Sequence, residues 1–254
     1  MATVVLCQGF FGRFFELAAD GIGPVRVPSI RYFGGIKEIL EADGHRVLTP
    51  QTHPSASIVR RATQIRDFLG KELHSDERVL LVGHSMGGLD CRHLLTHLGG
   101  DRYVDALLTV ATPHQGSAVA DFCERHLEQR VGFYGILNKT GLNVEGAVDL
   151  TRAKAQAFNR ETPDCPGVRY FSINTRTPVA KMKPFLRPGG GVLTREEGPN
   201  DGLVSATSAI WGELLTTWPL DHFSTLDKRW RAATTSAAPL WRDAIREVQR
   251  RLSA

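Results

Sequence analysis

Short apolar blocks alternating with amphipathic stretches set the pattern of this chain. Thr3-Val4-Val5-Leu6-Cys7 is apolar at consecutive positions, as a strand covered on both faces is, whereas a strand half in water alternates. Arg31 to Gly44 places Ile36, Ile39 and Leu40 at helical spacing and closes on Asp43-Gly44, which predicts a helix with a glycine C-cap. His45 to Pro50 reads as a short strand, and Ser57 to Leu73 as a helix through Ile58, Ala62, Ile65, Phe68 and Leu69. Val79-Leu80-Leu81-Val82 is the next buried-type strand, followed by the helix-compatible Leu89 to Leu95. Val104 to Ala111 and Gly167 to Asn174 are two more strands. Strand and helix alternate throughout, which predicts an α/β fold with a mostly parallel central sheet flanked by helices. Between the last two strands the pattern is mixed and helical and contains the apolar run Val131 to Leu137. We read one domain over 1–254 with a helical cap or lid insertion at about 118–165; a packed helical excursion is the alternative reading of the same residues.

The junction of the third of these strands with its helix carries the first chemistry. Val82-Gly83-His84-Ser85-Met86-Gly87-Gly88 is Gly-x-Ser-x-Gly between a buried strand and a helix, the context in which a tight turn projects a serine hydroxyl above the sheet. Gly83 and Gly87 are expected where strand and helix pass too closely for a β-carbon. The helix beginning after Ser85 aims free N–H groups at the point where a reacting carbonyl develops negative charge. Outside that context the five-residue pattern would mean only a turn.

A serine hydroxyl is a poor nucleophile until a histidine takes its proton, and that imidazole needs a carboxylate to fix its tautomer. The chain order for this fold is Ser, acid, His. Among the histidines after Ser85, only His222 follows the later strands that could carry the acid, so His222 is the candidate base. His93 and His97 on the helix after Ser85 read as structural, and His114 lies on a strand-exit loop. Asn200-Asp201-Gly202-Leu203-Val204 places a carboxylate in a tight turn upstream of His222, which makes Asp201 the candidate acid. Asp221 adjoins His222 and more plausibly supports its loop, while Asp149 and Asp164 fall in the insertion. The loop Gln8-Gly9-Phe10-Phe11-Gly12 at the end of the first strand suggests the amide of Phe10 as one oxyanion donor, with that of Met86 as the other. Phe11 and Phe14, with Phe10 and Phe15, read either as an acyl-binding wall or as core. Phe133 and Ile136 of the insertion are further candidates for substrate contact.

Composition narrows the classes without choosing the chemistry. The formal charge of +4 comes from 31 basic residues spread among 27 acidic ones, not from a basic stripe with interleaved aromatics, so nucleic acid is not an expected partner. There is no apolar run of bilayer-spanning length and no basic leader with a cleavage site, so the sequence as given is expected to be soluble and cytoplasmic. A mature chain placed behind a new Met1 would read the same, and secretion without a leader is the alternative. Cys7, Cys91, Cys123 and Cys165 are far apart and lack metal-ligand spacing; free thiols are expected, with at least Cys7 and Cys91 buried.

Taken together, these residues resemble the bacterial true lipases of the Pseudomonas and Proteus type, within the α/β-hydrolases. The resemblance is carried by Gln8-Gly9-Phe10-Phe11-Gly12, Tyr32-Phe33-Gly34-Gly35-Ile36, Gly83 to Gly88, Ala111-Thr112-Pro113-His114-Gln115-Gly116-Ser117, Asn200 to Val204 and Asp221-His222. It implies the α/β-hydrolase fold and triad roles for Ser85, Asp201 and His222, and a lid over an acyl site. Three departures stand out. The family has histidine where Gln8 stands, so the oxyanion loop must be supported differently. An aspartate that helps bind a structural calcium follows the family's catalytic histidine, but this chain reads His222-Phe223-Ser224, so no metal is expected. The disulfide of many members has no counterpart, since Ala206 and Thr207 stand near one of its positions.

The expected activity is hydrolysis of carboxylic esters with an apolar acyl chain, such as acylglycerols at a lipid–water interface, through an acyl-serine and without a cofactor. A thioesterase or acyltransferase would use the same triad. A non-catalytic binding protein of this fold is the alternative from another class.

Overall fold

A computed structural model describes residues 2–10, 32–125, 145–226 and 237–254. Phe11, Phe14, Phe15, Phe133 and Ile136, together with the run Val131 to Leu137, lie outside the described residues.

The first strand, β1 (Thr3–Cys7), is followed by helix α1 (Gly34–Ala42), the short β2 (Arg46–Leu48), α2 (Ile58–Glu72), β3 (Val79–His84), α3 (Met86–His97) and β4 (Val104–Val110). Next come α4 (Ala118–Cys123), α5 (Glu145–Asp149) and α6 (Arg152–Glu161), then β5 (Arg169–Thr175), α7 (Arg187–Glu196), β6 (Glu213–Trp218) and α8 (Ala238–Leu252). The strands form one sheet in the order β2-β1-β3-β4-β5-β6, and every pair is parallel. The expected parallel sheet wound with helices is therefore present, and α7, β6 and α8 add to the elements read from the sequence. Strand β6 is an edge whose first residues face solvent, so it lacks the apolar run that marks the buried strands.

Alternation along each strand divides the core into two layers, since successive side chains point to opposite faces. Val4, Leu6, Leu80, Val82, Leu108 and Val110 face one way, onto Ile36 and Leu40 of α1 and Trp241, Ile245 and Val248 of α8. Val5, Cys7, Leu81 and Leu107 face the other way, onto Ile65 and Leu69 of α2 and Cys91 and Leu94 of α3. Each such side chain, taken fully out of water, contributes roughly 1.5–3 kcal/mol.

The register fixes where the loops emerge. Cys7 lies beside Gly83, and His84 beside Val110, which in turn is paired with Ile173. Gln8, Ser85 and Ala111 therefore leave the sheet together at its C-terminal end, where sites form in parallel sheets. The opposite rim is charged. There Arg46 meets Glu77 at 2.7 Å, Arg78 meets Asp105 at 2.7 Å, and Arg169 meets Glu213 at 3.7 Å.

Candidate active site

The turn from β3 into α3 is a strained one. Ser85 adopts φ 55° and ψ −133°, a region L-residues avoid and which persists only where surrounding structure over-determines it. The surroundings do so here, because the Ser85 amide donates to the Val110 carbonyl at 2.9 Å and its own carbonyl accepts from the Thr112 hydroxyl at 2.8 Å and the Gly88 amide at 3.1 Å. The glycines are needed for space. A β-carbon on Gly83 would stand 2.5 Å from Gly88 Cα, and one on Gly87 would stand 2.3 Å from the Cys7 carbonyl oxygen.

Ser85, His222 and Asp201 lie on one hydrogen-bonded line. Ser85 Oγ is 3.0 Å from His222 Nε2, and His222 Nδ1 is 2.9 Å from Asp201 Oδ2. All three residues are buried, so the polar contacts act in a medium where each is stronger than in water. The carboxylate has a full set of donors. Its Oδ1 accepts the amides of Leu203 at 3.0 Å and Val204 at 2.8 Å, and Oδ2 also accepts the Thr175 hydroxyl at 2.6 Å. Gly202, at φ 99°, permits the turn that brings those amides round, and the His222 amide donates back to the Asp201 carbonyl at 3.0 Å.

The Pro-His-x-Gly-Ser segment holds the loop carrying Asp201. Ser117 donates to the Leu203 carbonyl at 2.6 Å while capping α4, and the His114 and Gln115 amides donate to the carbonyl and hydroxyl of Ser208. His114 itself is buried, and burial together with the adjacent Arg92 guanidinium pushes its pKa well down. The His93 and His97 rings lie 4.5 Å apart, tilted at 37° to each other. The other acids are engaged elsewhere: Asp149 accepts the Ile58 amide at the N-terminus of α2, and Asp164 accepts the Trp211 indole N–H.

The loop after β1, expected to carry an oxyanion donor, passes directly over the serine, since a β-carbon on Gly9 would stand 2.7 Å from Ser85 Cβ. Phe10 follows Gly9, and its ring packs against the cluster of Met86, Ile58 and Leu89. Support for this loop comes from residues the sequence reading passed over. Arg61 of α2 is wholly buried and donates to the Gln8 carbonyl at 2.6 Å, the Gly9 carbonyl at 3.3 Å and the His53 carbonyl at 2.7 Å. Its Nε–H binds Asp90 of α3 at 2.8 Å. Burial pushes the Asp90 carboxyl up to about 6, and the Arg61 charge opposes that shift. Gln8 reaches Thr52 through weak contacts of 3.4 and 3.5 Å.

The residues flanking His222 do not suit a calcium ion. That cation takes roughly six to eight oxygen ligands, usually including several carboxylates. Here Asp221 already accepts the Ser224 amide at 2.8 Å and both the amide and ammonium of Lys183 at 3.1 Å, and the ammonium also reaches Ser224 Oγ at 2.5 Å. A positive charge thus already stands between the two residues. Burial raises the Asp221 carboxyl, but the Ser224 contacts and the Lys183 ammonium outweigh it and hold it below the usual carboxylate range. Because the folded-state value is depressed, the cluster's stabilisation is present above about pH 4 and lost as pH falls through that value. Lys183→Met is expected to lower the midpoint of thermal unfolding by a few degrees at pH 7 and by less at pH 3, while excess EDTA leaves the native protein unchanged. Calorimetry with and without chelator checks both; an EDTA-induced drop that calcium reverses would overturn this account.

Comparison with known proteins shows what the chain resembles. Residues 37–140 match the family model described as a PGAP1-like alpha/beta domain. The chain is 34% identical to triacylglycerol lipase 2 of Saccharomyces cerevisiae over 213 residues, covering 78% of this chain and 63% of the yeast protein. It is 26% identical to the triacylglycerol lipase of Pseudomonas fragi over 285 residues, covering 93% of this chain and 92% of that one. Among solved structures, a metagenomic carboxyl esterase superposes with a TM-score of 0.79 at 22% identity, covering 97% of this chain and 75% of that chain. The chain thus spans under two thirds of its yeast relative, and no helix among the described residues is long and apolar enough to cross a membrane. By its parallel sheet flanked by helices and these likenesses, the chain has the α/β-hydrolase fold and is similar in sequence to triacylglycerol lipases.

Proposed function

We propose that the protein hydrolyses carboxylic esters with apolar acyl chains, acylglycerols among them, through an acyl-serine. The observation that carries this is the line from Ser85 Oγ through His222 to Asp201, with contacts of 3.0 and 2.9 Å. His222 Nε2 takes the Ser85 proton as Oγ attacks the ester carbonyl, and the amides of Phe10 and Met86 receive the oxyanion. Collapse of the tetrahedral intermediate expels the alkoxide, which takes the proton from His222. Water then repeats the sequence on the acyl-serine and releases the carboxylic acid. Asp201 stays ionised throughout, holding the Nδ1 proton and stabilising the imidazolium. The lipase relatives support a lipid ester as substrate. A fluorophosphonate probe is expected to label folded wild-type protein at Ser85, with activity across p-nitrophenyl esters that tracks labelling. Folded protein that neither labels nor hydrolyses any ester of the series would point to a binding protein.

A further inference from the structure

Behind the triad, a second set of buried polar groups connects its two halves. The Gly9 amide donates to the Tyr32 hydroxyl at 3.1 Å, and that hydroxyl lies 2.6 Å from His84 Nδ1. On the other side of the ring, His84 Nε2 lies 2.8 Å from Thr225 Oγ1, which donates to the His222 carbonyl at 2.6 Å. The Trp241 indole N–H fixes the Thr225 backbone at 2.7 Å. Tyr32, His84 and Thr225 are all buried.

The direction of these bonds follows from donor counting. Thr225 gives its single proton to the His222 carbonyl, so toward His84 it offers only lone pairs, and Nε2 must carry the hydrogen. A neutral imidazole protonated at Nε2 is bare at Nδ1, so Tyr32 donates there. The tyrosine oxygen is then left with lone pairs for the Gly9 amide. These bonds run from the loop carrying Gly9 to the backbone of His222.

We propose that His84 is a positioning residue that, through Tyr32 and Thr225, locks the oxyanion loop and the His222 loop into one mutual geometry. The proposal rests on the ester-hydrolase reading of Ser85. Gly9 immediately precedes the Phe10 amide, and the His222 carbonyl belongs to the residue whose ring must meet Ser85, so a tilt at either end misaligns the other. Breaking the chain at Thr225 removes the acceptor for the Nε2 hydrogen, and breaking it at Tyr32 removes the donor to Nδ1, so either break loosens the ring that joins the two ends. Losses from breaks at opposite ends should therefore overlap, as they do for residues acting as a unit.

The test is a mutant cycle on a short, dissolved p-nitrophenyl ester, begun only after wild-type hydrolysis and its loss in Ser85→Ala have settled the underlying reading. Tyr32→Phe and Thr225→Val are each expected to lower kcat about tenfold with KM within about twofold, and the double variant to lie within about threefold of the worse single. Thr225→Ser, which keeps the hydroxyl, should restore most of the loss. His84→Asn, which keeps an acceptor toward Tyr32 but no donor that reaches Thr225, should match Thr225→Val and serves if Tyr32→Phe does not fold. Losses that multiply to about a hundredfold in the double variant would overturn the proposal. So would a Thr225→Ser enzyme as poor as Thr225→Val, or near-normal turnover in His84→Asn.

Discussion

Ser85→Ala and His222→Ala are each expected to lower kcat by about 10⁶-fold, and the variant carrying both should be scarcely worse than either. The reason lies in the single file of contacts from Ser85 through His222 to Asp201. Without the hydroxyl there is no nucleophile to deprotonate, and without the imidazole the hydroxyl keeps its proton, so either loss disables the same step. Asp201→Asn should cost about 10⁴-fold. An amide cannot accept from Thr175 and His222 on one atom while also accepting the Leu203 and Val204 amides on the other. The asparagine therefore turns an N–H toward a donor or holds the imidazole in the wrong tautomer. Single-turnover kinetics on purified, folded variants check this. A His222→Ala enzyme with near-normal turnover would remove the assignment.

The second large effect is on stability and activity together. Arg61→Met is expected to destabilise the protein by about 3–5 kcal/mol, because it strands the Asp90 carboxylate in the core and frees the Gln8 and Gly9 carbonyls. Arg61→Met combined with Asp90→Leu removes the stranded charge, so most of the stability should return. The oxyanion loop stays unclamped in that double variant, so kcat should remain depressed. Denaturant unfolding and kcat measured on the same three proteins separate the two roles of the guanidinium. If kcat recovered in step with stability, Arg61 would be a packing residue only.

These two cases also show where the sequence was informative. Ser85, Asp201 and His222 stood out because each carries its local backbone requirement in its neighbours: small residues at Gly83 and Gly87, a turn glycine at Gly202, and the fixed order of the fold. Residues acting through long-range contacts had no such mark. Thr175 reaches Asp201 only because β5 ends beside that loop, and Lys183 reaches Asp221 across a loop crossing. Arg61 did leave a trace. It falls between Ile58, Ala62 and Ile65 on the buried stripe of α2, and a charge on such a stripe must find a partner inside. His84 occupies a free position of the Gly-x-Ser-x-Gly pattern, and nothing local to it points to Tyr32 or Thr225. Strand β6 escaped notice because an exposed edge does not need the apolar run that reveals a central strand.

The charged rim at the far end of the sheet gives the molecule a division of labour. Arg46, Glu77, Arg78, Asp105, Arg169 and Glu213 border the ends where strands begin, and Ser85 with its hydrogen-bonded partners stands where strands finish. A substitution that retunes substrate choice in the finishing loops leaves the starting rim and the two apolar layers untouched. Conversely, charge swaps on that rim can adjust solubility or tolerance of salt without reaching Ser85. Such a scaffold can drift in what it accepts while its means of staying folded is inherited intact.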